Sequence, residues 1–232
     1  MIDHFPAEKR VQWKNQYRII STKYPPVHIF DGLCPPELLK DLVALEARTN
    51  PRIMQQVGNL SLVNEQDIIT GNGAGIVMTA FTHIGFPSRF SDGTFGVYYA
   101  AQKRETAIHE TVFHRERIAR DAALEPDFWH MRVYVGEVQK NLVDIRYDKY
   151  QHLHDPDINS YPTSQVFGKA AKQNNYWGIV YNSVRHKGGQ CIAALRPPAI
   201  SIPKQDALLE YVWDGNKIIS VCEKSDPIVT FS

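Results

Sequence analysis

Cysteine is scarce in this chain. The three residues present, Cys34, Cys191 and Cys222, are widely spaced and form no CxxC pair. That argues against a disulfide framework or a thiolate zinc site and points to a reducing compartment. Net charge is nearly absent as well: 26 basic residues against 25 acidic ones leave +1 at pH 7. Neither a nucleic-acid coat nor a membrane-surface binder is suggested by that balance. No apolar run reaches membrane-spanning length, and "MIDHFPAEKRVQWKNQYR" is charged and interrupted where a signal peptide would be apolar. The expectation is a soluble, cytoplasmic protein with no direct nucleic-acid or membrane partner. Familiar catalytic signatures are missing too. There is no GxSxG elbow, no cysteine has a neighbouring histidine, and "GNGAG" (Gly71 to Gly75) lacks both the P-loop lysine and the third glycine of a dinucleotide fingerprint. That glycine stretch reads as a turn.

What is present reads as a mixture of helices and strands. "CPPELLKDLVALEARTN" places Leu38, Leu39, Leu42, Val43 and Leu45 at helical spacing after Pro35-Pro36, which suits a helix start. "GNGAGIVMTAFTHIG" and "SRFSDGTFGVYYAA" alternate glycine turns with β-branched and aromatic runs, and "GVYYAA" reads as a buried strand. From Glu105 to about Ala123 no proline or glycine interrupts a helical stretch. "WHMRVYVGEVQKNLVDI" alternates like a strand pair and "SQVFGKAAKQ" is helical. "GIVYNSV", "QCIAALRP" and "LLEYVWDGNKIISV" read as strands, the last with an Asp-Gly hairpin turn. Without a regular βαβ rhythm this is an α+β fold with a largely antiparallel or mixed sheet. We read residues 1–232 as one domain, with a helical N-terminal elaboration in 1–80 and a catalytic core in 81–232.

The segment "RETAIHETVFH" invites a metal reading. A zincin helix needs two histidines four apart, so that both imidazoles share a face. His109 and His114 are five apart, an offset of about 140° around a helix, and do not converge on one ion. "HLHDPD", with His152, His154, Asp155 and Asp157, holds ligand-type residues without a conventional spacing and reads as a solvated loop. No metal is expected at either. Glu110 draws attention for another reason. On a helix it falls near Ala107, Thr111, His114 and Ile118, with Arg115, Glu116 and Arg117 partly on other faces. Arg89 and Tyr99 precede it and Ser183 follows a later strand. Taken singly each has an ordinary structural role: Arg89 pairing with Asp92, Tyr99 as core beside Tyr98, Ser183 as a turn residue after Asn182.

Their order changes that reading. Arg89-Phe90, then Tyr99 with Ala100-Ala101 ten residues on, then Glu110 within "ETAIHE" eleven residues further, and finally Ser183 in "IVYNS" form a set that resembles the RES-domain family. That family is named for its arginine, glutamate and serine and comprises toxins of toxin–antitoxin pairs. The resemblance extends from "YRII" at Tyr17–Arg18 to the "WDG" hairpin. It implies an ADP-ribosyltransferase-like fold, with a mixed or antiparallel β core and flanking helices. It implies NAD as substrate rather than prosthetic group, no metal, and an activity among NAD hydrolysis, NAD phosphorolysis and ADP-ribosylation of a protein. Carried onto this chain, Arg89 would hold the dinucleotide phosphates, Tyr99 would pack on the nicotinamide or its ribose, and Glu110 would act at the reacting ribose. Ser183 would hydrogen-bond the dinucleotide, and Arg18 would be a further family arginine, separated from Arg89 by a longer stretch than in compact members. The implied partner is an antitoxin of the Xre helix-turn-helix type, and the implied assembly is a homodimer. The expected function is a toxin that degrades NAD and arrests growth until neutralised. A mono-ADP-ribosyltransferase acting on a protein, and a non-catalytic module that keeps the NAD cleft, are the alternatives.

The residue chemistry suits these roles. Arginine presents a rigid, permanently charged fork to phosphate oxygens, and tyrosine offers a π-face to a cationic pyridinium ring. Ordinary glycosidases use two carboxylates, one of them to protonate the leaving oxygen. Nicotinamide leaves NAD as a neutral molecule and needs no proton, so one carboxylate can suffice.

Overall fold

The computed structural model describes residues 5–24, 27–32, 35–48 and 52–224; Cys34 lies outside them. In chain order come β1 (Glu8–Lys9), β2 (Gln16–Ser21), α1 (Pro36–Glu46), α2 (Arg52–Val57), α3 (Gly75–Thr82), β3 (Tyr98–Ala101) and α4 (Arg104–Asp121). They are followed by β4 (Asp127–Gly136), β5 (Leu142–Asp144), α5 (Tyr161–Gln173), β6 (Gly178–Asn182), β7 (Gln190–Ala194), β8 (Lys204–Trp213) and β9 (Ile218–Lys224). The strands form one nine-stranded sheet in the order β1-β5-β6-β7-β3-β2-β4-β8-β9. Every pairing is antiparallel except β5 with β6. The expected α+β class with a mostly antiparallel core is therefore what the chain adopts.

Strand alternation divides the sheet into two faces with separate cores. On one, Tyr98, Ala100, Val180, Ile192 and Ala194 pack with Leu39 and Val43 of α1, Val57 of α2, and Val77, Met78 and Phe81 of α3. On the other, Ile19, Ala101, Tyr181, Cys191 and Ala193 pack with Ala107 and Ala119 of α4, Phe167 and Ala171 of α5, and Trp129 and Trp213 of β4 and β8. α1 buries Leu39 and Val43 four residues apart and leaves Leu38 and Leu45 in solvent, so only one stripe of its leucines reaches the core.

Three local expectations change. "GIVMTAFT", read from sequence as a β-branched and aromatic run between glycine turns, is the helix α3. Val77, Met78 and Phe81 in it are almost wholly buried, and periodicity does not separate helix from strand when a short segment is apolar all round. At its start Gly75 lies so close to Val27 that a Cβ would stand 2.2 Å from the Val27 carbonyl oxygen, which requires glycine there. β4 and β5 are both strands but do not pair. β4 lies between β2 and β8, β5 between β1 and β6, because their partners come from distant parts of the chain. The segment expected to be a helical elaboration contains α1, α2 and most of α3, which ends at Thr82, but it also supplies β1 and β2, and β2 sits inside the sheet between β3 and β4. Cys191 and Cys222 are free thiols. Among the described residues no helix is long and apolar enough to cross a membrane.

Candidate functional site

β2 follows β4 through six residue pairs but meets β3 at one pair, Tyr17 with Ala101. A cavity of about 390 Å³ adjoins this sparsely bonded strand junction, lined on one side by α4. That is within the range of pockets that hold small organic ligands, about 300–1,000 Å³. Arg18, Arg89, Tyr99 and Glu110 all line it. Arg18 donates from Nη1 to the Tyr99 carbonyl at 3.0 Å and lays its guanidinium 4.3 Å from the centre of the Tyr98 ring. Burial lowers the Arg18 pKa below its ordinary value.

Glu110 is half-buried on α4, which runs without a breaker from Arg104 to Asp121. Its Oε1 accepts a hydrogen bond from Ser183 Oγ at 2.6 Å and a weaker one from Cys191 Sγ at 3.7 Å. Oε2 has no hydrogen-bond donor among the described residues. Ser183 follows β6, and its Oγ also accepts from the backbone N–H groups of Arg185 and His186 at 3.1 and 3.0 Å. The serine is thus both the turn residue that its position suggested and a link between that turn and Glu110. Burial, and next the Glu110 charge, push the Cys191 thiol well above its ordinary pKa, so it serves as a neutral donor.

Arg89 is 6% exposed and does not pair with Asp92; Asp92 takes Lys169 at 3.0 Å instead. Arg89 Nη1 donates to the carbonyls of Leu153 and Asp155 at 3.2 and 3.0 Å, and its guanidinium lies 4.6 Å from the centre of the Tyr161 ring. The "HLHDPD" stretch is therefore more than a solvated loop. Its carbonyls anchor Arg89, and its His154 is 4% exposed. His154 Nε2 accepts from the Asn182 N–H at 3.2 Å while Nδ1 faces the Tyr150 carbonyl at 3.0 Å, which places the proton on Nδ1. Tyr99 holds the two residues that flank the same arginine in the chain. Its hydroxyl accepts from the Phe90 N–H at 3.0 Å and is bonded to Ser88 Oγ at 2.8 Å. Burial pushes the phenol up to about 12, so it stays protonated. Tyr98, its neighbour, faces the opposite core and hydrogen-bonds Gln16.

Four buried guanidinium nitrogens lack a hydrogen-bond partner among the described residues: Arg18 Nε, Arg89 Nη2, Arg117 Nε and Arg185 Nε. Arg18, Arg89 and Arg117 line the cleft. Arg185 stands beside it, stacked 3.3 Å from the centre of the Phe113 ring and bonded to the Pro156 carbonyl. His114 also lines the cleft and its pKa falls to about 4, first through burial and then through Arg117, Arg185, Arg89 and Arg115. The histidine is neutral among cations. An unpartnered buried donor costs about 1–3 kcal/mol, a cost that an anion with several acceptor oxygens would relieve.

Sequence placed His114 near Glu110 without giving it a role, put Arg117 partly on another face, and did not single out Arg185. Arg117 was legible: seven residues beyond Glu110 is about 700° of helix, within about 20° of the same direction, so it shares the Glu110 face rather than another. Arg185 was not, since nothing local says that the turn after β6 folds back toward α4.

A family model for the RES domain matches residues 68–214, well over half of the chain. Arg89, Tyr99, Glu110 and Ser183 fall inside that span and Arg18 outside it. An uncharacterized protein, y4oC, of Sinorhizobium fredii is 27% identical over 203 residues, covering 87% of this chain and 84% of that one. The M. tuberculosis MbcT–MbcA toxin–antitoxin complex contains a chain that superposes on 89% of this one and 85% of its own length, with 11% identity and a TM-score of 0.44. A likeness that low carries no argument. The family match rests on the sequence itself: this chain belongs to the RES-domain family.

Proposed function

We propose that this protein cleaves the nicotinamide–ribose bond of NAD, and that it does so as the toxin of a toxin–antitoxin pair. The observation that carries the reading is the meeting of one carboxylate, Glu110, with arginines that each keep one buried nitrogen without a partner among the described residues, in one nucleotide-sized cleft. The arginines suit a diphosphate. Arg89, fixed by two carbonyls and the Tyr161 ring, is the pre-organised contact, with Arg117 and Arg18 as further donors. The Tyr99 ring supports the nicotinamide end. Ser183 holds Glu110 by one oxygen and leaves Oε2 for the 2′-hydroxyl of the reacting ribose.

In the reaction the C1′–N1 bond breaks and its electron pair goes to the pyridinium, which leaves as neutral nicotinamide. Positive charge develops on the ribose, where the Glu110 carboxylate stabilises it. An acceptor oxygen then bonds to C1′. Water as acceptor gives ADP-ribose and releases a proton, phosphate gives a phosphorylated ADP-ribose, and a protein side chain gives a modified protein. We assign the hydrolytic or phosphorolytic outcome. The partner in this reading is an antitoxin of the Xre helix-turn-helix type that covers the cleft of a homodimeric, cytoplasmic toxin.

The test is to incubate the protein with NAD carrying a label in its adenylate half, and to follow both free nicotinamide and the label. Release of nicotinamide with the label in small molecules, lost in Glu110→Ala, is expected. Label on protein would replace the assignment with mono-ADP-ribosyl transfer. Absence of nicotinamide release, with Glu110→Ala indistinguishable from wild type, would leave a non-catalytic module. Expression should arrest growth, and Arg89→Ala should relieve the arrest.

A further inference from the structure

The rejected pairing of His109 with His114 leaves His109 without a role, and the structure supplies it with different neighbours. Glu105 lies one turn before it on α4, at the four-residue spacing that the two histidines lack. His186, from the turn after β6, stacks on the His109 ring with centroids 4.6 Å apart and planes 12° from parallel. One ligand atom from each of Glu105, His109 and His186 lies within 4.8 Å of the others. The geometry points to a binding site for a divalent transition ion of the zinc class, held by Glu105, His109 and His186, on the outer side of the helix that carries Glu110.

Two imidazoles and one carboxylate are an established ligand set for zinc, with a fourth position left to water. Bonds of about 2.1 Å to a tetrahedral ion put donor atoms about 3.4 Å apart. The 4.8 Å spread exceeds that separation by about 1.4 Å, a distance on the scale of a rotamer change in an exposed side chain. Glu105 and His109 are exposed and free to make it, His109 by turning a ring nitrogen out of the stack. His186 is the fixed member. Its Nδ1 is bonded to the buried Thr106 hydroxyl at 2.9 Å, which orients the ring and leaves Nε2, 3.9 Å from Glu105 Oε1, for the ion.

The turn that presents His186 is itself closed by hydrogen bonds, Gly189 N–H to the His186 carbonyl and Ser183 N–H to the Gly189 carbonyl, both at 2.9 Å. It lies so close to α4 that a Cβ on Gly189 would stand 2.6 Å from the Thr106 methyl group. An ion at the three ligands would bind this turn to the start of α4, and the turn is the one whose Ser183 holds Glu110. The site does not depend on the identity of the substrate in the cleft.

Co²⁺ is the probe, because its visible absorption reports ligand number. Titrated into the metal-stripped full chain it should saturate at a single equivalent, and Zn²⁺ should displace it. His109→Ala and Glu105→Gln, both at exposed positions where folding is not at stake, should each weaken binding at least about tenfold. Zn²⁺ should raise the Tm of the wild type and leave that of His109→Ala unchanged. No saturable uptake, or equal Co²⁺ affinity in wild type and both variants, would overturn the proposal whatever the chain does to NAD.

Discussion

Tyr98 and Tyr99 are consecutive on β3 and belong to different halves of the molecule. Tyr98 faces the core under α1–α3, with its hydroxyl on Gln16, while Tyr99 faces the cleft beside α4 and supports the Arg89 loop. The arginines divide in the same way. On the side of α1–α3 Arg196 forms a bidentate pair with buried Asp67, both contacts at 2.7 Å, and stacks on Trp177. In and beside the cleft, Arg18, Arg89, Arg117 and Arg185 each keep a buried nitrogen without a partner among the described residues. One region consumes its hydrogen-bonding capacity in holding the fold, and the other keeps buried donors that the described residues do not use.

Arg196→Ala should give the largest effect on that contrast. It leaves Asp67, 2% exposed, as an uncompensated charge, and breaking such a pair from one side costs about 3–5 kcal/mol. Urea unfolding should show that loss while NAD turnover per folded molecule stays within about twofold of wild type, as expected for a site with no shared partners.

Next is the pH response of His114. Its folded pKa of about 4 lies below the ordinary value of 6.5, so between these pH values the unfolded chain binds more protons than the folded one. Stability due to this group is therefore complete above about pH 6.5 and falls by up to roughly 3 kcal/mol as pH drops toward 4. Unfolding curves at pH 7 and pH 5 should show that slope, and His114→Gln should flatten it.

Arg117→Ala tests these unused donors directly. A hydrogen bond to a charged group is worth about 1.5–3 kcal/mol, so KM for NAD should rise about tenfold to a hundredfold with stability nearly unchanged. A KM equal to wild type would remove Arg117 from the anion site. The mildest comparison uses the tyrosines themselves. Tyr98→Phe and Tyr99→Phe should each lose about 1 kcal/mol of stability, but only Tyr99→Phe, by releasing Ser88 and the Phe90 N–H around Arg89, should raise KM. Equal kinetics in the two variants would erase the functional difference between the faces.

Much of the local structure was readable. "GVYYAA", the uninterrupted α4 and the "WDGNK" hairpin carry strong local patterns, and each appears where its pattern implied. The buried helix α3 did not, because an apolar segment eight residues long suits either period. The ordered residues Arg89, Tyr99, Glu110 and Ser183 were found through the resemblance of their order and spacing to the RES-domain family, and all but Ser183 directly line the cleft, with Ser183 bonded to Glu110. Arg117 was within reach of helical arithmetic, whereas Arg185 and His186 depend on a turn 73 residues beyond Glu110 that folds back onto α4.

By itself the sequence determined the elements and the chemical kinds of residue each would carry, since propensity, period and turn chemistry act over a few neighbouring residues. Only the tertiary structure decided which of them meet. The one-pair contact between β2 and β3 at the cleft, the separation of β4 from β5, the carbonyls of Leu153 and Asp155 that hold Arg89, and the approach of His186 to Glu105 and His109 all join residues far apart in the chain. Strand pairing and packing choose such partners by fit across the whole sheet, and no local pattern encodes that choice.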